Sequence, residues 1–391
     1  MVVFFVIIAN MKLTKLFTEF FESERTGGII LICCTFVSLL IANSALGTGY
    51  NAFWHHEIAG HSIVHWINDL LMTFFFLLVG LEIEREIYIG ELKEFRKASL
   101  PIFGAIGGMA IPALVYIGIN ISSDNMNGFG IPMATDIAFA IGILSLLGSR
   151  VPASLKIFLT ALAIIDDLGA IIVIAIFYSQ SVSLLYLGAA LTLFMIMIIM
   201  NRMKVMRLYL YLIPGILLWY CMLQSGIHAT IAGVLIAFAI PFREGDNHSP
   251  SYKLQHFLHK PVAFFVLPIF ALANTAIVLN TQLFSGLQST HALGIAFGLI
   301  FGKPIGILLM CYLAVKLKIA GLPEGVNWKQ LAGVGLLAGI GFTMSIFISL
   351  LAFEDDQMIN ISKLAILISS IIAAVTGLWY LSRQMDKQIS A

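Results

Sequence analysis

Apolar stretches long enough to cross a bilayer recur along almost the whole of this chain, and that leaves few ways to fold it. About 20 apolar residues in a helix cover a hydrocarbon layer of roughly 30 Å. In lipid every backbone N–H and C=O must find its partner inside the protein, which only helices and closed barrels allow. A barrel needs short segments of alternating polarity, and the sequence shows none. Of the 391 residues, 60% are hydrophobic and 11% charged, whereas a soluble domain carries about 25% charged residues. The expected fold class is an all-α polytopic membrane protein. Breaks at Gly, Pro and charge clusters place about twelve spans, near 25–44, 63–84, 99–120, 125–146, 153–178, 184–201, 207–221, 226–241, 255–275, 292–314, 330–353 and 361–382.

This outlines one transmembrane domain over 25–385, a short tail at 386–391, and an N-terminal extension with an interfacial segment over 1–24. The opening MVVFFVIIAN is too short to span, and no small-residue cleavage site follows it. The natural start is Met1 or Met11, where the amphipathic MKLTKLFTEFFESERTGG begins. The twelve-span order sorts the positive charges. Of the 22 Lys and Arg, 20 fall in one alternate set of loops, Lys363 falls in the other, and Lys303 lies inside a span. Cytoplasmic loops are the Lys- and Arg-rich ones, so both termini are expected in the cytoplasm. The net charge of +1 comes without a basic block, and no phosphate-cradling glycine loop is present, so no nucleic-acid partner is expected. Cys33, Cys34, Cys221 and Cys311 sit in apolar runs without metal-ligand spacing, and no cofactor is expected.

The sorting isolates four anomalies within spans: Asp136, Asp166, Asp167 and Lys303. A charge at mid-bilayer costs at least about 2.5–3.5 kcal/mol, so such residues face a water-filled cavity or one another. A packing ion pair with Lys303 would still leave two aspartates unexplained. Neighbouring helical residues point about 100° apart, so one of Asp166 and Asp167 can meet a cation while the other faces a cavity. Mutual repulsion and burial both favour proton binding, and carboxylate oxygens also suit hard cations. Protons and a small cation can therefore compete for the same oxygens, as an ion/proton exchanger requires. Two spans are also interrupted: GFGIPMATDIAFAIG around Pro132, Thr135 and Asp136, and GVGLLAGIGFTMSIF around Gly339, Gly341 and Thr343. Gly- or Pro-broken spans in corresponding halves of a chain point to a transporter site. Asp136 suits exposed N-terminal helix ends and Lys303 suits C-terminal ends.

The segments PMATDIAFAIGILSLLGSRVPASLKIFLTALAIIDDLGAI, FFLLVGLEIEREI, SGIHATIAGV, GKPIGI and GIGFTMSIF closely resemble the NhaA-type sodium/proton antiporters of bacterial inner membranes. The resemblance runs from about Met11 to the C-terminus. It implies twelve helices with an inverted-topology repeat relating spans three to five to spans ten to twelve, and two unwound, crossing helices, the fourth and eleventh. It implies that Asp166 and Asp167 bind protons and the transported Na+ or Li+, with Asp167 the main cation ligand and Asp166 gated by or paired with Lys303. Thr135 and Asp136 match the polar pair at the crossing. Glu82, Arg85 and Glu86 match a funnel-mouth group linked to pH activation, and His228 matches a histidine of the pH response. Lys253, His256 and His259 are further pH-response candidates, in a segment, KLQHFLHK, where Gln255 replaces a frequent acidic residue. The implied exchange is two protons inward for one Na+ or Li+ outward. Some relatives carry a β-hairpin between the first two spans that joins two protomers. Here that connection, about 45–62, is short, so a homodimer would rest on a reduced or different contact.

The expected activity is thus electrogenic secondary antiport in the bacterial inner membrane, activated at alkaline pH and serving sodium and pH homeostasis. Two rivals stand beside it. An intramembrane aspartyl protease needs two carboxylates converging on one water, and neighbouring helical aspartates diverge. A passive cation channel would conduct without obligatory proton counterflow, whereas paired broken helices favour alternating access. His55, His56, His61 and His65 read as exposed histidines near the periplasmic side.

Overall fold

A computed structural model describes residues 26–90, 92–123, 125–179, 182–243 and 249–389. The expected N-terminal segment 1–24 lies outside the described residues. The described residues begin with α1 (Thr26–Ala42), which meets α2 (Gly47–Trp54) at a bend of 118°. A hairpin of β1 (Glu57–Ile58) and β2 (His61–Ser62) follows. Its two turn residues, Ala59 and Gly60, have φ of 54° and 84°, the left-handed pair that a two-residue hairpin turn needs. The connection expected near 45–62 thus holds a short helix and a hairpin with two residues in each strand.

The long helices come next. They are α3 (Ile63–Tyr88), α4 (Phe95–Asn120), α5 (Ile137–Ser145), α6 (Ala153–Phe177) and α7 (Leu184–Arg202). Then follow α8 (Tyr209–Gln224), α9 (Ile231–Ala239), α10 (Pro250–Asn274), α11 (Thr281–Gly286) and α12 (Thr290–Lys316). The chain closes with α13 (Trp328–Ala338), α14 (Phe342–Ala352) and α15 (Asp356–Ile389). Local chemistry sets several starts. Asn327 and Gln330 form a reciprocal capping box on α13. Ser249 caps α10 ahead of Pro250, a residue suited to a first helical turn because its missing N–H would have no partner there.

Among the described residues, eight helices are long and apolar enough to cross a membrane, or ten if each bent pair is one span. The remaining two of the twelve expected spans correspond to α8, with 16 residues, and α9, with nine. At 1.5 Å per residue, α9 covers only about 14 Å.

Small residues set the tightest packing. Gly107 of α4 and Gly306 of α12 face each other, and a Cβ on either would strike the other's backbone carbonyl. Gly302 sits against Pro112 and Gly298 against Pro132 in the same seam. Gly80 of α3 packs on Val234 and Ala237 of α9, and Gly233 of α9 lies against the backbone of Thr73 and Leu77. Lipid tails supply no hydrophobic drive for helix association, so such close backbone approach carries the packing. By contrast α7, most of whose residues are exposed, lies on the outside of the bundle.

Replacing Gly107 with Val forces a side chain into the α4–α12 seam, where backbone must move. The expected loss is about 1–3 kcal/mol of stability, read as a lowered melting temperature of the detergent-solubilised protein. Gly188→Ala on α7, where a Cβ meets nothing within 4 Å, should leave the melt unchanged or slightly raised.

Candidate ion-binding site at two helix breaks

The segment before α5 does not form a continuous α-helix. Met126–Met133 is a 3-10 helix, residues 134–136 are not helical, and α5 starts at Ile137. Pro132 lies in the 3-10 stretch, and the extended backbone of Ala134 (φ −77°, ψ 150°) ends it. The second break falls between α13 and α14, at 339–341, with a bend of 46° between the two helices. The breaks touch. The Asp136 N–H donates to Ile340 O at 2.7 Å, and the Thr135 hydroxyl lies 3.1 Å from Ala338 O.

Each break exposes helix ends whose N–H and C=O groups lack intrahelical partners. Asp136 answers two of them with one carboxylate. Its Oδ1 accepts from Phe139 N at 2.9 Å, capping α5, and its Oδ2 accepts from Thr343 N at 3.0 Å, in the first turn of α14. The Thr343 hydroxyl donates to the same Oδ2. A carboxylate facing two helix N-termini is also favoured by both macrodipoles. At the opposite pole, the carbonyl of Met133, which closes the 3-10 helix, accepts from the Lys303 ammonium. Ser345 Oγ bonds Ile131 O at 2.7 Å, and Phe342 N bonds Ser370 Oγ at 3.2 Å.

The paired aspartates of α6 lie against this frame. Asp166 Oδ2 sits 3.0 Å from Lys303 Nζ and accepts from the Thr135 hydroxyl at 2.8 Å. Asp166 and Lys303 are fully buried, and Asp167 is 1% exposed. Asp166 Oδ1 and Asp167 Oδ1 are buried without a hydrogen-bond partner. Asp166 Oδ1 looks onto Gly108 of α4, where a Cβ would come to 3.8 Å. A buried polar atom without a partner is costly and needs an explanation, and a proton or a hard cation supplies one. Thr135, Asp136, Asp166, Asp167 and Lys303, named from sequence, therefore fall in one buried neighbourhood. Among the described residues no cluster of three or more His, Cys, Asp or Glu side chains is arranged to hold a metal ion.

The other candidates divide into two places. At the C-terminal end of α3, Glu82 is buried, with Oε1 3.9 Å from His259 Nδ1 of α10, and Arg85 bonds Glu86 at 3.0 Å. Gln255 is buried on the same helix α10, while Lys253 and His256 are exposed, the His256 ring lying parallel to Tyr252. Apart from these, His228 bonds the Tyr178 carbonyl through Nε2 at 2.9 Å. Near the hairpin, His61 stacks on His65 at 4.3 Å, and His65 pairs with Asp69 at 3.3 Å.

Sequence reasoning passed over Glu84, the residue before Arg85 on α3, which is buried and accepts from the Ser251 hydroxyl at 2.9 Å. Its neighbours Glu82 and Glu86 drew the attention, although an acidic residue every second position already signals more than one face. Tyr178 was also missed. Its hydroxyl donates to Asn127 O at 2.6 Å and receives Gly130 N at 3.1 Å, tying the end of α6 to the 3-10 segment.

Fold and site together define a multi-pass helical membrane protein built around buried ionisable groups at two helix breaks. The chain belongs to the Na+/H+ antiporter 1 family, whose model matches residues 18–381. It is 59% identical to the Na+/H+ antiporter NhaA of Flavobacterium psychrophilum, over 97% of this chain and 99% of that one. It is 58% identical to the Na+/H+ antiporter NhaA 1 of Flavobacterium johnsoniae, over 95% and 97%. Against the Na+/H+ antiporter NhaA of Escherichia coli the identity is 48%, over 92% of this chain and 96% of that one.

Asp136→Ala removes acceptors from two helix ends at once, each cap being worth about 1 kcal/mol. It should lower the melting temperature more than Thr343→Val, which deletes one hydroxyl donor and leaves the Thr343 N–H in place. Equal melts for the two variants would show that the carboxylate does not bridge the breaks.

Proposed function

We propose that this chain is an electrogenic secondary antiporter that exports Na+ or Li+ in exchange for about two protons, and that Asp166 and Asp167 bind both kinds of ion. The carrying observation is the pair of buried, unpartnered oxygens, Asp166 Oδ1 and Asp167 Oδ1, beside a lysine that already holds the other Asp166 oxygen. The family membership supports transport rather than enzyme chemistry. Asp167 is the main cation ligand, because it has no ammonium at contact distance. Asp166 exchanges between Lys303 and a proton, and Thr135 and Asp136 hold the breaks in place.

The reading takes in the membrane arrangement. Twelve spans result when α8 and α9 are counted with the ten apolar candidates, with both termini in the cytoplasm of a bacterial inner membrane. Spans three to five and ten to twelve form the inverted repeat, and the broken fourth and eleventh spans cross at Asp136 and Ile340. Their mutual hydrogen bonds support that crossing. Glu82, Arg85, Glu86, Lys253, His256 and His259 form a cytoplasmic group tuning the response to pH, and His228 acts from the other side. A homodimer contact through the short hairpin belongs to the same proposal.

Protons and the cation compete for the aspartates. At low pH protons hold the oxygens, so exchange rises as pH increases, until inward proton supply limits it. Two charges in for one out moves one net charge inward per cycle, so 100 mV contributes about 2.3 kcal/mol to export.

In proteoliposomes with an acidic lumen, wild-type protein should dissipate the pH gradient when Na+ or Li+ is added outside, faster when an inside-positive potential is imposed, because two protons then leave for each cation that enters. Asp167→Asn should abolish this flux. Normal flux in that variant would overturn the site assignment, and Na+ flux without proton counterflow would favour a channel.

A further inference from the structure

Among the described residues, three spans contain a π turn, where a backbone N–H reaches back five residues instead of four. Met72 N bonds Ile67 O in α3, Leu267 N bonds Val262 O in α10, and Lys303 N bonds Gly298 O in α12. Such turns are uncommon and cluster at functional sites. Here two of them share a sequence cause. Lys303 is followed by Pro304 and Leu267 by Pro268, each two residues past its turn. A proline inside an α-helix lacks the N–H that would bond the carbonyl four residues back, and its ring strikes that carbonyl. For Pro304 the carbonyl is that of Ile300, in the middle of the π turn; widening the turn moves it aside. In α3 the equivalent position is Thr73, which keeps its N–H and adds a hydroxyl bond to Asp69 O at 2.6 Å.

Only in α12 does the residue after the turn carry a buried charge. An extra residue in a turn rotates everything beyond it by about 100°. Both sides of the turn are pinned. At its first residue, Gly298 lies against Pro132; beyond its last, Gly306 lies against Gly107. The turn also meets the second break, since a Cβ on Gly339 would come to 2.6 Å from Leu299 O. We propose that Pro304 is a positioning residue: with the π turn before it, it sets the helical phase that delivers the Lys303 ammonium to Asp166 Oδ2 and the Met133 carbonyl. An unbroken α-helix between the same anchors would send Lys303 away from the aspartates. The ionisable groups facing Lys303 are Asp166 and, beyond it, Asp167. The functional readout rests on the antiport reading above; the geometry does not.

The test is Na+-driven proton flux in proteoliposomes across a pH series for wild type, Pro304→Ala and Pro268→Ala. Pro304→Ala restores an N–H to residue 304 and lets the turn close. With the ammonium withdrawn, protons hold the aspartates to higher pH, so the rising limb should move alkaline by about one pH unit, with an about tenfold higher KM for Na+. Pro268→Ala, which closes the matching turn of α10, should leave the profile in place. An unchanged profile and KM in Pro304→Ala, or an equal shift in Pro268→Ala, would overturn the proposal. If Pro304→Ala is not recovered from membranes, Pro304→Gly supplies the same N–H without a side chain. An experimental map showing a regular α path through residues 298–302 of the wild type would overturn it whatever the variants do. Absence of exchange in the wild type would instead sink the antiport reading.

Discussion

A chain in lipid has no water with which to finish its hydrogen bonds, so a helix broken at mid-membrane must find partners for its loose ends among its own side chains. Much of the arrangement follows from that requirement. The breaks at 134–136 and 339–341 expose ends of both polarities. Asp136 takes N–H groups from α5 and α14, while Lys303 takes the Met133 carbonyl. Once the lysine is drawn there, its charge needs a counter-ion in the same dry space, and Asp166 provides it. The groups that satisfy the backbone are thus the same groups that gather buried charge around the two breaks, and neither job can be altered without the other.

The packing around the site serves the same end. Lys303 can reach Met133 only because α12 lies close to α4 and to the broken segment, and glycines at 107, 298, 302 and 306 permit that approach. The ion pair itself is weak evidence for stability, since removing two charges from water costs several kcal/mol per ion before their attraction is counted. What the pair does fix is position: the lysine holds one oxygen of Asp166 at 3.0 Å while the other oxygen is left without a partner.

The site was legible in the sequence to the extent that polarity stood out. Asp166, Asp167, Asp136 and Lys303 were conspicuous because an ionisable residue in a long apolar run has no cheap explanation. Gly and Pro runs marked where the helices break. What could not be read were relations across the fold. Nothing near Glu84 announces Ser251, 167 positions away, and nothing near Tyr178 announces Gly130 or His228. Span counting was sure for long apolar helices and unsure for α9, where nine helical residues follow a non-helical approach. The π turns left only a proline two residues downstream as their trace, and in α3 not even that.

Tyr178 has a mechanical implication. Its hydroxyl is held at both Asn127 and Gly130, and its carbonyl is held by His228, so the far end of α6 is moored while its middle carries both aspartates. Asp167 lies 11 residues from that mooring, a lever of about 16 Å at 1.5 Å per residue. A swing of about 10° around Tyr178 would carry the Asp167 carboxylate by about 3 Å, the length of one hydrogen bond. Ser154, at the other end of the same helix, donates to Glu324 O at 2.7 Å, so the two aspartates ride on a helix held at both ends, and such a swing has to be shared with the segment at Glu324.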